Sequence, residues 1–302
     1  SMGEAEPDDL KEAVLSLPSF RSIDPADYED FMTYMLGMGQ IERMDEGSLI
    51  IGMAGEKIVN NFRFYAVFKD DEEHVVYNGT EEIGSITTVP PPGYCFTLAG
   101  KLWKVEEVDT RHKAVYVKTS RGKVDTLWLG AGGDVHTRIM RKIREVLGET
   151  ALYPYLAPSA AARLERARRL AKESGLLERS VLPAGGDSMF ILPWAGSRQF
   201  RTLERLLKNN LKGRLGLRSI VPMEPYYLVV AGSTNAETLE AEIIAECTAA
   251  IEPLSLLSPD EAPYLGKYDE FIPHELLRKA FSLDGLDVPG LIEVLKNWRQ
   301  GT

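Results

Sequence analysis

Between residues 61 and 130 the chain repeats short stretches in which every second residue is apolar, and turn residues separate these stretches about every ten positions. Alternation with a period of two places the apolar side chains of each strand on one face, which can pack in a hydrophobic core. Asn78-Gly79 is a dipeptide favoured in tight hairpin turns. Short strands at even spacing are typical of small closed sheets. The pattern therefore predicts an antiparallel β-barrel over 61–130, with strands at 62–68, 74–77, 82–86, 94–98, 102–105 and 114–117.

The residues before the barrel have helical spacing and end in a short hairpin. Asp24 precedes Pro25, and an acidic N-cap followed by proline at the first helical position is a strong start signal. Apolar residues at 41–44 and 49–51 flank a polar turn at 45–48. Residues 1–60 are therefore predicted to form a winged-helix-like segment. The alternative is a plain packing module, because the helix that would enter a DNA groove is acidic and rich in methionine.

After the barrel, helical and strand patterns alternate. The patterns predict strands at 189–192, 217–221 and 226–231, and helices at 135–147, 159–174, 200–211, 236–250, 273–281 and 288–298. Residues 131–302 are therefore predicted to form a mixed α/β C-terminal domain. Together the three segments, 1–60, 61–130 and 131–302, predict an α+β protein.

The charge is distributed unevenly along the chain. Residues 1–100 hold 6 basic and 19 acidic residues, residues 101–218 hold 24 and 12, and residues 219–302 hold 5 and 14. The total is −10, yet the middle segment has a clear basic excess. A basic middle between acidic flanks is typical of a phosphate-binding surface, although mixed surface charge with a chance imbalance gives the same count.

Motifs for catalysis are missing from the sequence. Residues 71–74 read Asp-Glu-Glu-His, as a helicase metal box does, but the chain lacks the Gly-x-x-x-x-Gly-Lys-Ser/Thr phosphate cradle that such a box requires. No Gly-x-Ser-x-Gly elbow occurs, and the two cysteines and four histidines are scattered without zinc-site spacing. We therefore predict no catalytic residue, no metal site and, from the acidic N-terminus and the lack of a membrane-spanning run, a cytoplasmic protein.

Aromatic and cationic residues are interleaved in the basic middle. Single-stranded nucleic acids are held by positive grooves whose aromatic side chains stack on the bases. Trp103 is favoured as a barrel core residue, whereas Trp194 is either a stacking residue on a stiff loop or a packing residue at a junction. The predicted nucleic-acid-binding residues are Lys118, Arg121, Lys123, Trp128, Arg138, Arg141, Trp194, Arg198 and Arg201.

Three strings carry a family resemblance: Phe-Thr-Leu-Ala-Gly-Lys-Leu-Trp at 96–103, Leu-Pro-Trp-Ala-Gly-Ser-Arg at 192–198, and Lys-Tyr-Asp-Glu-Phe-Ile-Pro-His-Glu-Leu-Leu-Arg at 267–278. With these strings in this order, residues 20–300 resemble the region behind the two motor domains of Lhr-type helicases of superfamily 2. The resemblance implies a winged helix, a small β-barrel and an α/β segment. It also implies a parent protein that is an ATP-dependent 3′-to-5′ helicase of DNA repair, with a C-terminal part that completes the DNA channel.

The motor domains of that family have no counterpart in this sequence. ATP and Mg²⁺ are therefore expected to bind the missing motor domains and not this chain. The expected partners are single-stranded DNA, or RNA, and the motor domains of the parent protein. Three alternatives stay open: a self-standing interaction module that binds a basic partner, an RNA-directed helicase accessory domain, and an enzyme with a site between barrel and α/β part.

Overall fold

The computed structural model describes residues 3–21, 23–65, 73–86, 89, 95–109, 112–120, 133–247, 250–259, 261 and 267–298. The chain divides into two compact units, residues 56–133 and residues 1–55 together with 134–302. Helices and strands occur in both units, so the predicted α+β class is confirmed. Among the helices of the described ranges, none is long and apolar enough to cross a bilayer.

The unit of residues 56–133 is built on a curled five-stranded sheet. Its strands are β3 (His74–Asn78), β4 (Glu81–Ile86), β5 (Cys95–Leu98), β6 (Lys101–Asp109) and β7 (Ala114–Thr119), in the order β4-β3-β7-β6-β5. The prediction of a purely antiparallel sheet is wrong, since β3 and β7 are parallel. Four chain reversals separate these two strands, so they run in the same direction when β7 joins β3.

Trp103 lies in the core of this sheet, as predicted. Its side chain is 1% exposed and packs with Val76, Val105, Val115 and Val117. The indole Nε1 donates a hydrogen bond of 3.0 Å to the Leu98 carbonyl oxygen. The predicted first strand, in contrast, is helical over Phe62–Tyr65 (α4), and residues 66–68 of that prediction lie outside the described residues.

The first 55 residues contain the predicted helices and hairpin. They form α1 (Pro7–Leu15), α2 (Pro25–Gly37), β1 (Ile41–Arg43) and β2 (Leu49–Ile51), and α3 (Met53–Val59) continues past them. The Asp24 side chain accepts a hydrogen bond from the Ala26 backbone N–H at 2.9 Å, which confirms the predicted N-cap. β1 and β2 are antiparallel. The order helix, helix, hairpin is as predicted, and the winged-helix identity stays a prediction.

The C-terminal part surrounds a four-stranded sheet in the order β10-β11-β9-β8, in which every pairing is antiparallel. The strands are β8 (Val181–Gly185), β9 (Ser188–Ile191), β10 (Leu217–Met223) and β11 (Tyr227–Gly232). The helices are α5 (Thr137–Gly148), α6 (Pro158–Glu173), α7 (Ser197–Arg205), α8 (Ala236–Glu246), α9 (His274–Asp284) and α10 (Val288–Lys296). A π-helical turn, Leu206–Leu211, continues α7, and 3₁₀ turns lie at Pro253–Leu256 and Asp269–Phe271.

The two faces of this sheet pack against different helices. Ile191 and Leu228 are paired in register and belong to the large core, which includes residues of α7, α8, α9 and α10. The neighbouring positions, Leu182 and Phe190, belong to a second cluster with Leu147 of α5. Since successive strand residues point to opposite faces, α5 lies across the sheet from the large core.

The N-terminal helices are tied to the C-terminal part by charge. The Nζ of Lys279 in α9 lies 2.6 Å from the nearer carboxylate oxygen of Asp27 in α2. This pairing raises the pKa of Lys279, and the side-chain hydrogen bond to Asp27 is the main cause. The two segments are far apart in sequence, so the ion pair is a long-range contact between α2 and α9 within this unit.

Candidate functional site

The loop between β9 and α7, residues 192–196, and the first residue of α7, Ser197, are hydrogen-bonded to the chain at the start of α5. The Gly196 N–H donates to the Thr137 hydroxyl at 3.0 Å, and the Ser197 N–H donates to the Val135 carbonyl oxygen at 2.9 Å. In return the Val135 N–H donates to the Ser197 hydroxyl at 3.1 Å. The prediction of a stiff loop around Trp194 therefore agrees with the structure.

Trp194 occupies this loop with a backbone φ of +53°, a left-handed conformation that is strained for a residue with a side chain. The side chain is only 7% exposed and packs in the second cluster with Leu182 and Leu192. The Arg144 guanidinium of α5 stands 5.9 Å from the ring centre. An exposed face for base stacking is therefore absent at Trp194, and its placement corresponds to the packing alternative.

Arg201 supports the fold with its guanidinium group. It donates two hydrogen bonds of 2.9 Å to the Asp134 carboxylate, one of 2.8 Å to Glu224 and one of 3.2 Å to the Gly285 carbonyl oxygen. The hydrogen bonds from Arg201 lower the pKa of Asp134, and those that Arg201 donates to Asp134 raise the pKa of the guanidinium. Four of its five N–H donors are therefore already used, which leaves a single donor for the phosphate contact predicted at this position, and that contact stays a prediction.

Arg198 has a similar internal role. One of its terminal nitrogens donates to the carbonyl oxygens of Leu283 and Leu286 at 2.8 and 2.9 Å. Leu283 lies in the last turn of α9, where backbone acceptors have no partner within the helix, and Leu286 follows the C-cap residue Gly285. Arg198 thus caps α9, and the acid partner weighed for it in the packing alternative is not found among the described residues.

The remaining predicted contacts are divided between paired, free and undescribed residues. Lys118 forms an ion pair with Glu106, and Arg141 lies 3.5 Å from Glu293. Arg138 is exposed, and within the described ranges its guanidinium has no hydrogen-bond or ion-pair partner. Three predicted residues lie outside the described residues: Arg121, Lys123 and Trp128.

Within the described ranges, α6 holds a run of exposed cations that were not singled out as binding residues from the sequence. The helix Pro158–Glu173 holds five cations and two acids. Four of the cations are exposed and have no acidic partner in the part of the chain that the structure describes: Arg163, Arg166, Arg169 and Lys172. In the sequence, these cations were indicated only as part of the basic composition of the predicted helix 159–174.

The fifth cation of α6 shows how the helix is oriented. Arg168 donates from Nε to the Val146 carbonyl oxygen and from Nη1 to the Ala151 carbonyl oxygen, both at 2.9 Å. Ala171, one turn away on the same side, is buried. This side of α6 therefore packs inward on the end of α5. Arg166 and Arg169 lie on the opposite, outer side, and the exposed Arg163 and Lys172 flank it, since nine residues turn the helix by about half a turn.

Two tyrosines stand just before α6. Tyr153 donates a hydrogen bond of 2.6 Å to Glu149, which raises the pKa of Tyr153, and the Arg168 guanidinium lies 5.6 Å from its ring centre. Tyr155 is 79% exposed, and its ring centre lies 5.6 Å from that of Tyr153. An exposed aromatic ring thus adjoins the start of the basic helix.

Among the described residues, no group of three or more His, Cys, Asp or Glu side chains is arranged to hold a metal ion. No protein-family model, curated protein or solved structure matches the chain.

Proposed function

We propose that this chain is a nucleic-acid-binding accessory region that holds a single strand along the outer side of α6. The observation that carries the proposal is the row of four exposed cations on α6 without acidic partners among the described residues. Surface cations that already have an acid nearby gain less from a phosphate than unpaired ones do, because the existing pair must first be broken.

The spacing of the four cations suits a strand that crosses the helix obliquely. Arg163, Arg166, Arg169 and Lys172 follow one another at intervals of three residues. Neighbours three apart on a helix lie about 5–6 Å from each other, and each step of three residues turns the position by about 60°, so the row winds obliquely around the helix. Each guanidinium also presents several donors, which suits the oxygens of a phosphate.

Tyr155 supplies the stacking surface that this proposal needs. Binding of single strands without sequence preference combines phosphate contacts with an aromatic ring on which a base stacks. Tyr155 is exposed, precedes Pro158 at the helix start by three residues, and is backed by Tyr153. We assign to Tyr155 the stacking role that was predicted from the sequence for Trp194, because the ring of Trp194 is buried.

The resemblance of residues 20–300 to Lhr-type helicases supports the proposal that this chain is part of a larger protein. It would follow the motor domains of an Lhr-type DNA helicase, and those motor domains would hydrolyse ATP with Mg²⁺. This chain would then hold the strand that the motor moves. Binding measurements separate two alternatives from this proposal. One is that the strand is RNA and not DNA, and the other is that the acidic flanks, residues 1–100 and 219–302, bind a basic protein.

The test is fluorescence anisotropy of labelled oligo-dT with the triple variant Arg163→Gln, Arg166→Gln, Arg169→Gln. On a single strand each lost phosphate contact removes about 0.7 from the slope of log affinity against log salt, so the triple variant should lower that slope by about 2. A matched control, Lys57→Gln, Lys212→Gln, Lys296→Gln, removes the same charge from exposed lysines elsewhere. Equal losses in both variants would show a general charge effect and contradict the α6 interface.

The stacking role has its own control pair. Tyr155→Ala should fold normally and bind oligo-dT about tenfold more weakly, from ~1–3 kcal/mol per stacked base. Tyr226 is also an exposed tyrosine, in the turn between β10 and β11, and Tyr226→Ala should leave binding unchanged. Full binding by Tyr155→Ala would remove this residue from the interface.

A further inference from the structure

Three apolar side chains are exposed where α2 meets the β1–β2 hairpin. Met38 at the C-cap of α2 is 54% exposed, Ile51 of β2 is 45% exposed, and Met53 at the start of α3 is 70% exposed. A single exposed apolar side chain is ordinary, whereas a group of neighbouring ones indicates an interaction surface. Met38, Ile51 and Met53 are called the methionine face below.

A close backbone contact brings the three residues of the methionine face together. The Ala54 N–H donates to the Gly39 carbonyl oxygen at 3.0 Å, and a Cβ on Gly52 would stand 2.4 Å from that same oxygen. The two backbone segments therefore touch with no side chain between them. Each residue of the methionine face directly adjoins Gly39 or Gly52 in the chain, and adjoining Cα atoms are only about 3.8 Å apart.

The surroundings of the methionine face are acidic. Residues 24–55, from α2 through the hairpin, hold seven acidic residues and one basic residue, Arg43. The Glu42 carboxylate accepts a hydrogen bond of 3.3 Å from the Met53 N–H, so one acid directly adjoins the face. Asp45 and Glu46 in the hairpin turn are exposed, and their carboxylates have no hydrogen-bond or ion-pair partner within the described ranges.

We propose that the methionine face binds the apolar side of a basic amphipathic helix of a partner protein. Methionine side chains are flexible and polarizable, so they adapt to the apolar side chains of a helix. Glu42, Asp45 and Glu46 then face the lysines and arginines that flank that side.

Charge selects this partner over the other classes of partner. An acidic surface repels the phosphates of a nucleic acid and attracts a cationic segment. A symmetric contact between two copies of the chain would place the acids of one copy against the same acids of the other. The basic helix is an additional ligand that leaves the α6 cations free for a strand, so this inference goes beyond the strand-binding role proposed above.

The experiment measures the fluorescence anisotropy of a labelled peptide of leucine and lysine during titration with the full chain. The peptide is about 14 residues long, and its leucines follow helical spacing so that they form one apolar side. A peptide of the same composition without that spacing controls for non-specific attraction of lysines to an acidic surface. The amphipathic peptide should bind saturably and about tenfold or more tightly than the control peptide.

The variants are chosen at exposed side chains, so their melting temperatures should match that of the parent. Met38→Gln with Met53→Gln keeps the length of both side chains and makes them polar, so peptide affinity should fall about tenfold. Met223 of β10 is 49% exposed, and Met223→Gln is the matched control that should leave binding unchanged. Asp45→Asn with Glu46→Gln should weaken binding and lower its salt dependence, because exposed charges attract over a distance that salt screens.

Three results would overturn the proposal. One is peptide binding that the double methionine variant does not weaken, or that Met223→Gln weakens equally. Another is a dimer of the unaltered chain in sedimentation velocity that the double methionine variant abolishes, because the face would then bind a second copy. The third is a loss of oligo-dT binding in the double methionine variant, which would place the strand on this face.

Discussion

Gly196 is the position where a single added methyl group tests the loop geometry. Its φ of −74° is allowed for any residue, so an alanine there would carry no conformational strain. A Cβ on Gly196 would instead stand 2.7 Å from the Thr137 backbone nitrogen and closer still to the Val135 carbonyl oxygen. Both neighbours are backbone atoms, which cannot rotate away as a side chain can.

The cost of Gly196→Ala follows from these contacts. Overpacking a tight site by one methyl group typically destabilises by ~1–3 kcal/mol. The displaced loop would also weaken the Gly196 bond to Thr137 and the Ser197 bond to Val135. For a unit of this size each kcal/mol lowers the melting temperature by about 2–4 °C, so we expect a decrease of about 2–12 °C.

The assay is thermal unfolding followed by circular dichroism, with Gly213→Ala as the matched control. Gly213 has no heavy atom within 4 Å of an added Cβ and no left-handed φ, so alanine there should be neutral or slightly stabilising. If Gly196→Ala melts with the parent protein and the control, the close approach of residues 192–197 to α5 is refuted.

Three further predictions concern other parts of the chain. Trp103→Ala should lower the free energy of unfolding by ~3–5 kcal/mol, because it removes a large side chain from the core of the five-stranded sheet. The measurement is urea unfolding, and an unchanged stability of this sheet would contradict the packing of Trp103. Hydrogen bonds from Arg201 lower the pKa of Asp134, so the carboxylate's contribution to folding stability is complete above the pKa of the unfolded state and is lost as pH falls through the folded pKa. The difference in melting temperature between the parent and Asp134→Asn should therefore shrink from about pH 6 to about pH 3. A constant difference would refute the pairing of Asp134 with Arg201. Burial raises the pKa of the Cys247 thiol to about 11, so iodoacetamide at about pH 8 should alkylate this thiol at least tenfold more slowly in the native protein than in urea. The two rates are measured by peptide mass spectrometry, and equal rates would place the thiol at the surface.

Local features of this chain could be predicted from sequence, because neighbouring residues determine them. The cap at Asp24 needed only the adjoining proline and the acidic first turn, and the buried face of the strand with Trp103 followed from alternation. The helix Phe62–Tyr65 shows the limit of alternation, since the short sequence Phe-Arg-Phe-Tyr fits either a strand or a helical turn.

Long-range pairing could not be predicted in the same way. Nothing local to β3 or β7 indicates that they pair in parallel, because the choice depends on where the chain returns. Proline and glycine around Trp194 indicated a stiff loop, yet the direction of the ring depends on α5. Arg201 meets Asp134 and Glu224 from 67 and 23 residues away, so its structural role could not be inferred from its neighbours.

The most direct test of the proposed function is the salt dependence of single-strand binding by the unaltered chain. Labelled oligo-dT is titrated at several salt concentrations, and log affinity is plotted against log salt. With four exposed cations on α6 that have no acidic partner among the described residues, we expect saturable binding and a slope of about −3, from ~0.7 per phosphate contact. Binding that is absent at low salt, or that does not change with salt, would contradict the claim that α6 holds a nucleic-acid strand.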